Sequence, residues 1–169
     1  MQSEYIVLGG GCFWCLEAIF SRVPGVLSVT PGYAGGELAS PSYEAVCSGT
    51  TGHAEVVKLE FDPTQITLPN LMELFFRAHD PTTLNRQGHD VGTQYRSVVF
   101  YSSPEQKHAT EKAMEEAAGL YRAPLVTEVL PEPPFYPAES YHHDYYKNNP
   151  QAGYCRMVIA PKLSKLKLE

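Results

Sequence analysis

Apolar residues near the start of the chain follow two different periods. Residues 5–8 form a short apolar run, which predicts a strand, and the glycines at 9–11 end it. Helical spacing then predicts a helix that Pro24 and Gly25 stop, and residues 26–33 predict a second strand. The apolar positions with helical spacing are Phe13, Leu16, Ile19, Phe20 and Val23.

Strands and helices alternate along the rest of the chain. Residues 55–62 alternate apolar and polar, which predicts a half-buried strand, and the polar stretch over 80–94 is too long to be only a connection. The remaining predictions are a loop over 35–41, helices over 68–79, 104–121 and 138–147, strands over 96–101 and 125–130, a proline-rich segment over 131–137, and a tail from about 148.

This order of elements predicts an α+β fold. Its βαββαβ core is that of a ferredoxin-like α/β sandwich, with helices packed on a mixed sheet, an extra helix and a long C-terminal tail. A parallel doubly wound fold has more crossover helices than this pattern offers. The 169 residues, 43% of them apolar, suffice for one packed core, so we expect a single domain over residues 1–169.

Charge and the first residues bear on partners and location. The net charge is −6 and the isoelectric point is near 5.5, with no basic block, so nucleic acids and anionic membranes are not expected partners. The apolar runs are too short to span a bilayer. Residues 1–4 carry no basic region of a signal peptide, so we expect a cytoplasmic protein. We also expect a monomer.

The chain has four cysteines, Cys12, Cys15, Cys47 and Cys155. Their number and uneven spacing differ from the dense disulfide framework of a small secreted domain. In a reducing compartment such cysteines are buried inert thiols, metal ligands or redox catalysts, and Cys47 is expected to be buried and inert. Cys12 and Cys15 form a C-x-x-C motif, which is typical of a thioredoxin-type dithiol on the first turn of a helix.

Residues 9–15 place one of these thiols at the start of a helix. The glycine turn delivers Cys12 to free backbone N–H groups and to the positive end of the helix dipole. The dipole is worth ~0.3–1 kcal/mol and lowers a thiol pKa by less than about one unit, so Cys12 is expected to be partly thiolate at neutral pH. Phe13 and Trp14 follow directly, and two large aromatics at this place indicate an apolar cup around the thiol.

A carboxylate begins the strand predicted over 55–62. Glu55 has the same strand parity as Val57, Leu59 and Phe61, so it points in the same direction as three apolar side chains. A frayed and solvated strand end is the alternative. If the carboxyl is buried, desolvation raises its pKa and keeps it protonated, which suits a general acid.

Two further segments carry polar groups on irregular backbone. Residues 87–97 combine Asp90 and Tyr95 with amide groups before a strand, in the kind of place where binding residues occur. Tyr43, taken alone, is an ordinary aromatic residue. Cys155 lies on what the sequence predicts to be a mobile tail, either able to approach another thiol or carrying an incidental one.

Taken together, these segments resemble the A-type peptide methionine sulfoxide reductases. The similarity runs from near residue 6 to near residue 160, and the combination of Gly-Cys-Phe-Trp with Gly-His-Ala-Glu is highly specific. The matching runs are Gly-Cys-Phe-Trp at 11–14, Pro-Gly-Tyr-Ala-Gly-Gly at 31–36, Thr-Gly-His-Ala-Glu at 51–55, Gly-Thr-Gln-Tyr-Arg-Ser at 92–97 and Gly-Tyr-Cys at 153–155.

The resemblance implies a substrate and the groups that bind it. Cys12 would attack the sulfur of a methionine S-sulfoxide, presented by an oxidised protein or peptide or as the free amino acid. Phe13 and Trp14 would hold the methyl group in their cup, and Asp90 would help to fix the substrate backbone.

The resemblance also implies how the oxygen leaves and how the enzyme is recycled. Glu55 would protonate the oxygen, with Tyr43 and Tyr95 as further hydrogen-bond donors. The sulfenic acid left on Cys12 would condense with Cys155 in a single resolving step, because no cysteine follows Cys155. Thioredoxin would reduce that disulfide, and no other cofactor is expected.

Two other classes stay open. A general dithiol–disulfide oxidoreductase would use Cys12 with Cys15, although the family pattern does not require Cys15, which is otherwise expected to be a buried helix cysteine. A metal-binding module would use histidines and Asp90, but a lone C-x-x-C is a weak zinc signal. Those histidines are expected on polar faces, with residues 141–144 on a helix surface; they are His79, His89, His142 and His143.

Overall fold

The structure, a computed structural model, describes residues 3–168. Met1 and Gln2, on which the expected absence of a signal peptide partly rests, lie outside the described residues, as does Glu169. No helix within residues 3–168 is long and apolar enough to cross a membrane. The strands are β1 (Glu4–Gly9), β2 (Val26–Ala34), β3 (Ala54–Phe61), β4 (Arg86–Gln87), β5 (Asp90–Val91), β6 (Val98–Tyr101), β7 (Glu128–Pro131) and β8 (Phe135–Pro137). The α-helices are α1 (Phe13–Phe20), α2 (Tyr43–Cys47), α3 (Leu68–Ala78), α4 (Pro104–Ala118), α5 (Tyr145–Asn148) and α6 (Ala160–Lys165).

Six of the strands form one mixed sheet in the order β7-β6-β1-β3-β2-β8. Neighbouring strands are antiparallel except β6 and β7, which are parallel. Two split βαβ units, β1-α1-β2 and β3-α3-β6, interleave so that β1 and β3 lie side by side at the centre of the sheet. This is the ferredoxin-like arrangement, so the predicted α+β sandwich with a mixed sheet is confirmed.

The helices cover one face of this sheet and build the main core there. Phe13 and Phe75, from α1 and α3, belong to the same apolar cluster as Leu59 of β3. The other face carries a smaller cluster around Val56, over which Phe135 of β8 packs. The start of β3 is therefore buried on both faces, whereas its alternating sequence predicts burial on one, because the Phe135 side chain from the edge strand β8 packs over the second face.

The C-terminal segment differs most from its prediction. A mobile tail is predicted from about residue 148, but the segment is helical, with a π-helical stretch over Cys155–Ile159 that continues into α6. Cys155, Ile159 and Leu163 are four residues apart and are all buried in the main core. These three apolar residues share one helix face, which explains why the segment packs on the core as a helix. The prediction of a mobile tail was wrong.

Three shorter elements also differ from the sequence predictions. The proline-rich segment over 131–137 ends in β8, which pairs with β2 at the sheet edge, where proline is tolerated. The loop before β3 contains α2, whose first turn Ser42 caps by accepting from the Ala45 N–H at 3.1 Å. The helix predicted over 138–147 is broken, because Asp144 has a left-handed backbone with φ of 55°.

Cys47 also departs from its prediction. It lies at the end of α2 and is exposed, so the expectation that it is a buried thiol was wrong. Val46 is the buried residue of this short helix, and Cys47, next to it in sequence, faces outward.

Candidate active site

A glycine turn between β1 and α1 delivers Cys12 to the end of the central strand. Gly11 has a φ of +92°, which side chains disfavour, and a Cβ on it would lie 2.9 Å from the Gln87 side chain. A Cβ on Gly10 would lie 2.8 Å from the ring of His79. The turn therefore requires glycine for space and for conformation, and it leaves Cys12 at the N-cap of α1 with 7% of its surface exposed.

The thiols of Cys12 and Cys15 are neighbours, and each changes the pKa of the other. Burial raises the pKa of Cys12, and the neighbouring Cys15 thiol and Glu55 charge raise it further. The helix start acts in the opposite direction through the Trp14 N–H, but less strongly. The predicted partly ionised Cys12 is therefore wrong for the resting protein, because desolvation outweighs the helix dipole. Hydrogen bonding from Cys12 lowers the pKa of Cys15 to about 7.

Glu55 is buried beside these thiols on the helix-covered face of β3, as its strand parity predicts. It is 1% exposed, and Tyr33 stands opposite it in the register of β2. The Phe13 N–H donates to its Oε1 at 3.1 Å, while its Oε2 is buried with no hydrogen-bond partner among the described residues. Burial raises the pKa of the carboxyl to about 8, so Glu55 carries a proton at neutral pH.

Two phenols face the same carboxyl from different elements. Burial raises the pKa of Tyr43, on α2, and the nearby Glu55 charge raises it further. The same causes raise the pKa of Tyr95, which lies in a 3-10 turn over Thr93–Tyr95. Arg96 holds this turn to the loop before β3, because its Nη2 donates to the Gly52 carbonyl at 2.9 Å. Both hydroxyls therefore remain protonated hydrogen-bond donors beside Glu55.

The peptide group of Tyr43 is fixed by a carboxylate that the sequence did not single out. The Tyr43 N–H donates to Glu139 Oε2 at 2.9 Å, and the Tyr33 hydroxyl donates to Glu139 Oε1 at 2.8 Å. Glu139 thus ties α2 to β2, and a single glutamate near the start of the helix predicted over 138–147 gave no sign of this role.

Aromatic rings form the wall next to Cys12. Phe13 is fully buried, and its ring stacks with that of Tyr43 at a centroid distance of 6.3 Å. Trp14 is partly exposed and stacks on Tyr145 at 3.8 Å with an interplanar angle of 8°. Its indole N–H donates to His142 Nδ1 at 3.0 Å. His142 is fully buried, so its predicted place on a helix surface was wrong; the short 3-10 turn over Ser140–His142 directs it inward.

A tyrosine from the C-terminal segment connects Asp90 to the cysteine pair. The Tyr154 hydroxyl donates to Asp90 Oδ2 at 2.7 Å and lies 3.5 Å from the Cys15 sulfur. Asp90 and Tyr154 also line a cavity of about 630 Å³ that reaches Cys12. Tyr154 is the middle residue of the Gly-Tyr-Cys run. That motif drew attention to the segment but did not predict this contact.

Cys155 is close to Cys15. It is 0% exposed in the core, and burial raises its pKa, with the charge of Cys15 as the second cause. The π-helical stretch that carries it packs on α1. The structure therefore brings together Cys12, Glu55, Tyr43 and Tyr95, while Cys155 lies below them on the side of Cys15.

The predicted alternative of a metal site finds no donor cluster here. Within residues 3–168, no group of three or more histidine, cysteine, aspartate or glutamate side chains is placed to hold an ion. His79 bonds through both nitrogens, Nδ1 to the Phe75 carbonyl and Nε2 to the Ser97 hydroxyl, each at 2.7 Å. His142 is engaged with Trp14, so these two histidines serve packing.

The arrangement suits the removal of oxygen from sulfur. A thiol, a protonated carboxylic acid and two phenols converge beside an aromatic wall. An oxygen bound to sulfur is a poor leaving group, so a thiol that attacks the sulfur needs a proton donor and further donors at the oxygen. Each of these groups is present within one buried site.

Comparison with known proteins gives a consistent result. The family model described as Peptide methionine sulfoxide reductase matches residues 4–169. Peptide methionine sulfoxide reductase MsrA of Thermus thermophilus is 54% identical over 98% of this chain and 94% of its own. Reduced Mxr1 from Saccharomyces cerevisiae is 38% identical with a TM-score of 0.86, covering 91% of this chain and 90% of its own. Mxr1 in complex with Trx2 is 27% identical with a TM-score of 0.61, covering 85% of each chain.

Proposed function

Because the chain belongs to the peptide methionine sulfoxide reductase family, an oxidoreductase family acting on methionine sulfoxide, we propose that Cys12 attacks the sulfur of methionine S-sulfoxide. The observation that carries the proposal is the buried, protonated Glu55 next to Cys12 at the aromatic wall. Sulfoxide reduction needs a proton donor at the departing oxygen, and Glu55 supplies one. We extend the proposal to both protein-bound and free methionine S-sulfoxide, and to residues 1–169 as one catalytic domain.

Glu55 protonates the sulfoxide oxygen as the sulfur–sulfur bond forms. Its Oε2, buried without a partner among residues 3–168, is the atom free to receive the substrate oxygen. Tyr43 and Tyr95 donate hydrogen bonds to the same oxygen as negative charge develops on it. An ionised Glu55 would instead repel the Cys12 thiolate, so the raised pKa of Glu55 is needed for both partners. Cys12 and Glu55 therefore titrate as a coupled pair.

The aromatic wall and the cavity bind different parts of the substrate. Phe13 and Trp14 hold the methyl group, and Trp14 is braced for this by the stacked ring of Tyr145. Asp90 fixes the substrate backbone from the cavity side, oriented by the Tyr154 hydroxyl. With methyl group and oxygen held by different groups, only one epimer presents its sulfur to Cys12, and family membership supports the S epimer.

Recycling requires a second thiol and an external reductant. Loss of the oxygen to Cys12 leaves a sulfenic acid, which is resolved to a disulfide within the chain that includes Cys155. A thioredoxin then reduces that disulfide, and no other cofactor takes part. The complex of the relative Mxr1 with Trx2 supports a thioredoxin as the reductant.

The second candidate function is a general dithiol–disulfide oxidoreductase that uses Cys12 with Cys15. One observation favours it, the lowered pKa of Cys15, which is typical of a dithiol active site. Such an enzyme would reduce disulfides with Glu55 replaced, whereas sulfoxide reduction would need Glu55. Insulin disulfide reduction measured beside sulfoxide reduction, in the wild type and in Glu55→Gln, distinguishes the two.

The decisive experiment compares the two epimers of methionine sulfoxide. The reduced protein, without added reductant, should form at least one equivalent of methionine from the S epimer and little from the R epimer. Equal yields from both epimers would contradict the assignment of methyl and oxygen subsites. Cys12→Ser is the matched control, since it removes the nucleophile while its hydroxyl keeps the size of the side chain.

A further inference from the structure

Three buried cysteines are arranged one after another in space, in the order Cys12, Cys15 and Cys155. Cys12 is at the N-cap, Cys15 is one turn further along the helix, and Cys155 lies on the π-helical stretch that packs on α1. Resting on the proposed function, we propose that Cys15 relays the oxidation, so that a Cys12–Cys15 disulfide forms first and is converted to a Cys15–Cys155 disulfide.

The placement of Cys155 disfavours a direct reaction with Cys12. Its side chain is fully buried and its helix face is fixed in the core by Ile159 and Leu163. To reach the N-cap, the segment would have to leave that core and break the 2.7 Å bond between Tyr154 and Asp90. Cys15, by contrast, needs no change of backbone to meet Cys12, because C-x-x-C at a helix start is the arrangement of dithiol active sites.

The surroundings of Cys15 prepare it to attack. The positive charge of Lys162 stabilises a thiolate there, and the Tyr154 hydroxyl, whose proton goes to Asp90, lies 3.5 Å from the Cys15 sulfur. Both groups belong to the C-terminal segment that also carries Cys155. The segment that activates Cys15 therefore also holds Cys155, the next thiol of the relay, beside Cys15.

The relay balances as two exchanges. The Cys15 thiolate attacks the sulfur of the Cys12 sulfenic acid, forms the first disulfide and releases hydroxide, which leaves as water with a proton from Glu55 or solvent. The Cys155 thiol then attacks the Cys15 sulfur, and the bond to Cys12 breaks. Cys12 leaves as thiolate and takes the proton that Cys155 loses. The substrate oxygen has become water, and one disulfide remains for the reductant.

Two alanine variants distinguish the relay from direct resolution. After one equivalent of S-sulfoxide, Cys155→Ala should contain a Cys12–Cys15 disulfide and no sulfenic acid that dimedone can trap. Cys15→Ala should accumulate the trappable sulfenic acid and form any Cys12–Cys155 disulfide at least about tenfold more slowly than the wild type forms its first disulfide. The opposite pattern, sulfenic acid in Cys155→Ala and a fast disulfide in Cys15→Ala, overturns the relay. Cys47→Ser, an exposed thiol with a hydroxyl replacement, is the control and should follow the wild type.

The wild type provides a test that does not depend on how the variants fold. Rapid acid quenching, thiol blocking and peptide mapping should find Cys12–Cys15 early and Cys15–Cys155 later. An early Cys12–Cys155 disulfide, or a wild type that stops at Cys12–Cys15, overturns the proposal. Methionine is measured in the same samples, so a failure of the proposed function appears separately as absent product.

Discussion

Cys12 and Cys155 are both buried, but the elements that hold them differ. Cys12 follows the central strand β1, which pairs with β3 on one side and β6 on the other, and Glu55, the proposed acid, lies on β3 itself. Cys155 belongs to a C-terminal helical segment outside the sheet that begins with a π-helical stretch. Backbone pairing thus holds the first thiol, and side-chain packing holds the second.

This difference separates two requirements of the reaction. Oxygen transfer needs fixed distances between thiol, acid and phenols, which a central strand provides. Reduction by an external protein requires a buried disulfide to become accessible, and peripheral segments open locally at lower free energy than central strands. π-Helical stretches also occur frequently at functional sites. We therefore expect a rigid site for the proposed chemistry, joined to a segment that opens for the proposed recycling.

The largest expected effect concerns the rigid region. Cys12→Ser should abolish methionine formation, even in the first turnover, because it removes the proposed nucleophile beside the Glu55 carboxyl. The measurement is methionine formed by stoichiometric enzyme without reductant. A Cys12→Ser variant that still forms one equivalent would place the nucleophile elsewhere, with Cys15 as the first candidate.

Removal of the acid should have the next largest effect. Glu55→Gln retains a hydrogen-bond donor and the shape of the side chain but has no proton to transfer. General acid catalysis contributes typically ~10²–10⁴-fold, so the single-turnover rate should fall by that order while substrate binding changes little. Stopped-flow measurement at several sulfoxide concentrations separates the rate from the binding. A near-normal rate would show that Glu55 is structural.

The same carboxyl sets an expected pH dependence. Burial raises the pKa of Glu55 to about 8, so the acid is present below that pH and is lost as the pH rises through it. The single-turnover rate of the wild type should therefore decline above about pH 8, and Glu55→Gln should lack that decline. Identical profiles of the two proteins at high pH would assign the decline to another group.

The smallest expected effect concerns the segment that carries Cys155. Tyr154→Phe removes the hydroxyl that donates to Asp90 but keeps the ring against Trp14. A hydrogen bond to a charged group is worth about 1.5–3 kcal/mol, so local opening should become roughly 10–150 times more frequent. Hydrogen exchange of residues 153–166 measures this, with β3 as the internal reference. Unchanged exchange in the segment would mean that core packing alone holds it closed.

The rigid region was also the one that sequence patterns described best. Strand parity placed Glu55 on the face of Val57 and Leu59, and the glycine run placed Cys12 at a helix start; both hold in the structure. Sequence patterns did not predict whether the Cys12 thiol keeps its proton. Desolvation depends on which groups enclose the thiol, and those come from distant parts of the chain.

The C-terminal region shows why other elements were missed. Proline and glycine signals before Cys155 predicted a tail, yet Cys155, Ile159 and Leu163 carry a helix face that becomes visible only at a spacing of four. Tyr145 gave no signal, and Tyr154 entered only as part of the Gly-Tyr-Cys run, because a tyrosine is an ordinary residue until tertiary packing places it on Trp14 or Asp90. Residue roles such as those of Tyr43 and Asp90 came from family resemblance and stay proposals.

The buried Glu55 carboxyl also affects the stability of the whole fold. In an unfolded chain this group ionises near its ordinary pKa of 4.5, whereas in the folded protein it holds its proton up to about 8. Between these values folding takes up a proton, so the free energy of unfolding decreases as pH rises, by roughly 3 kcal/mol at neutral pH relative to acid. The carboxyl proposed as the acid thus lowers the stability of the fold as pH rises, and Glu55→Gln should give a protein that is less active but more resistant to heat at pH 8.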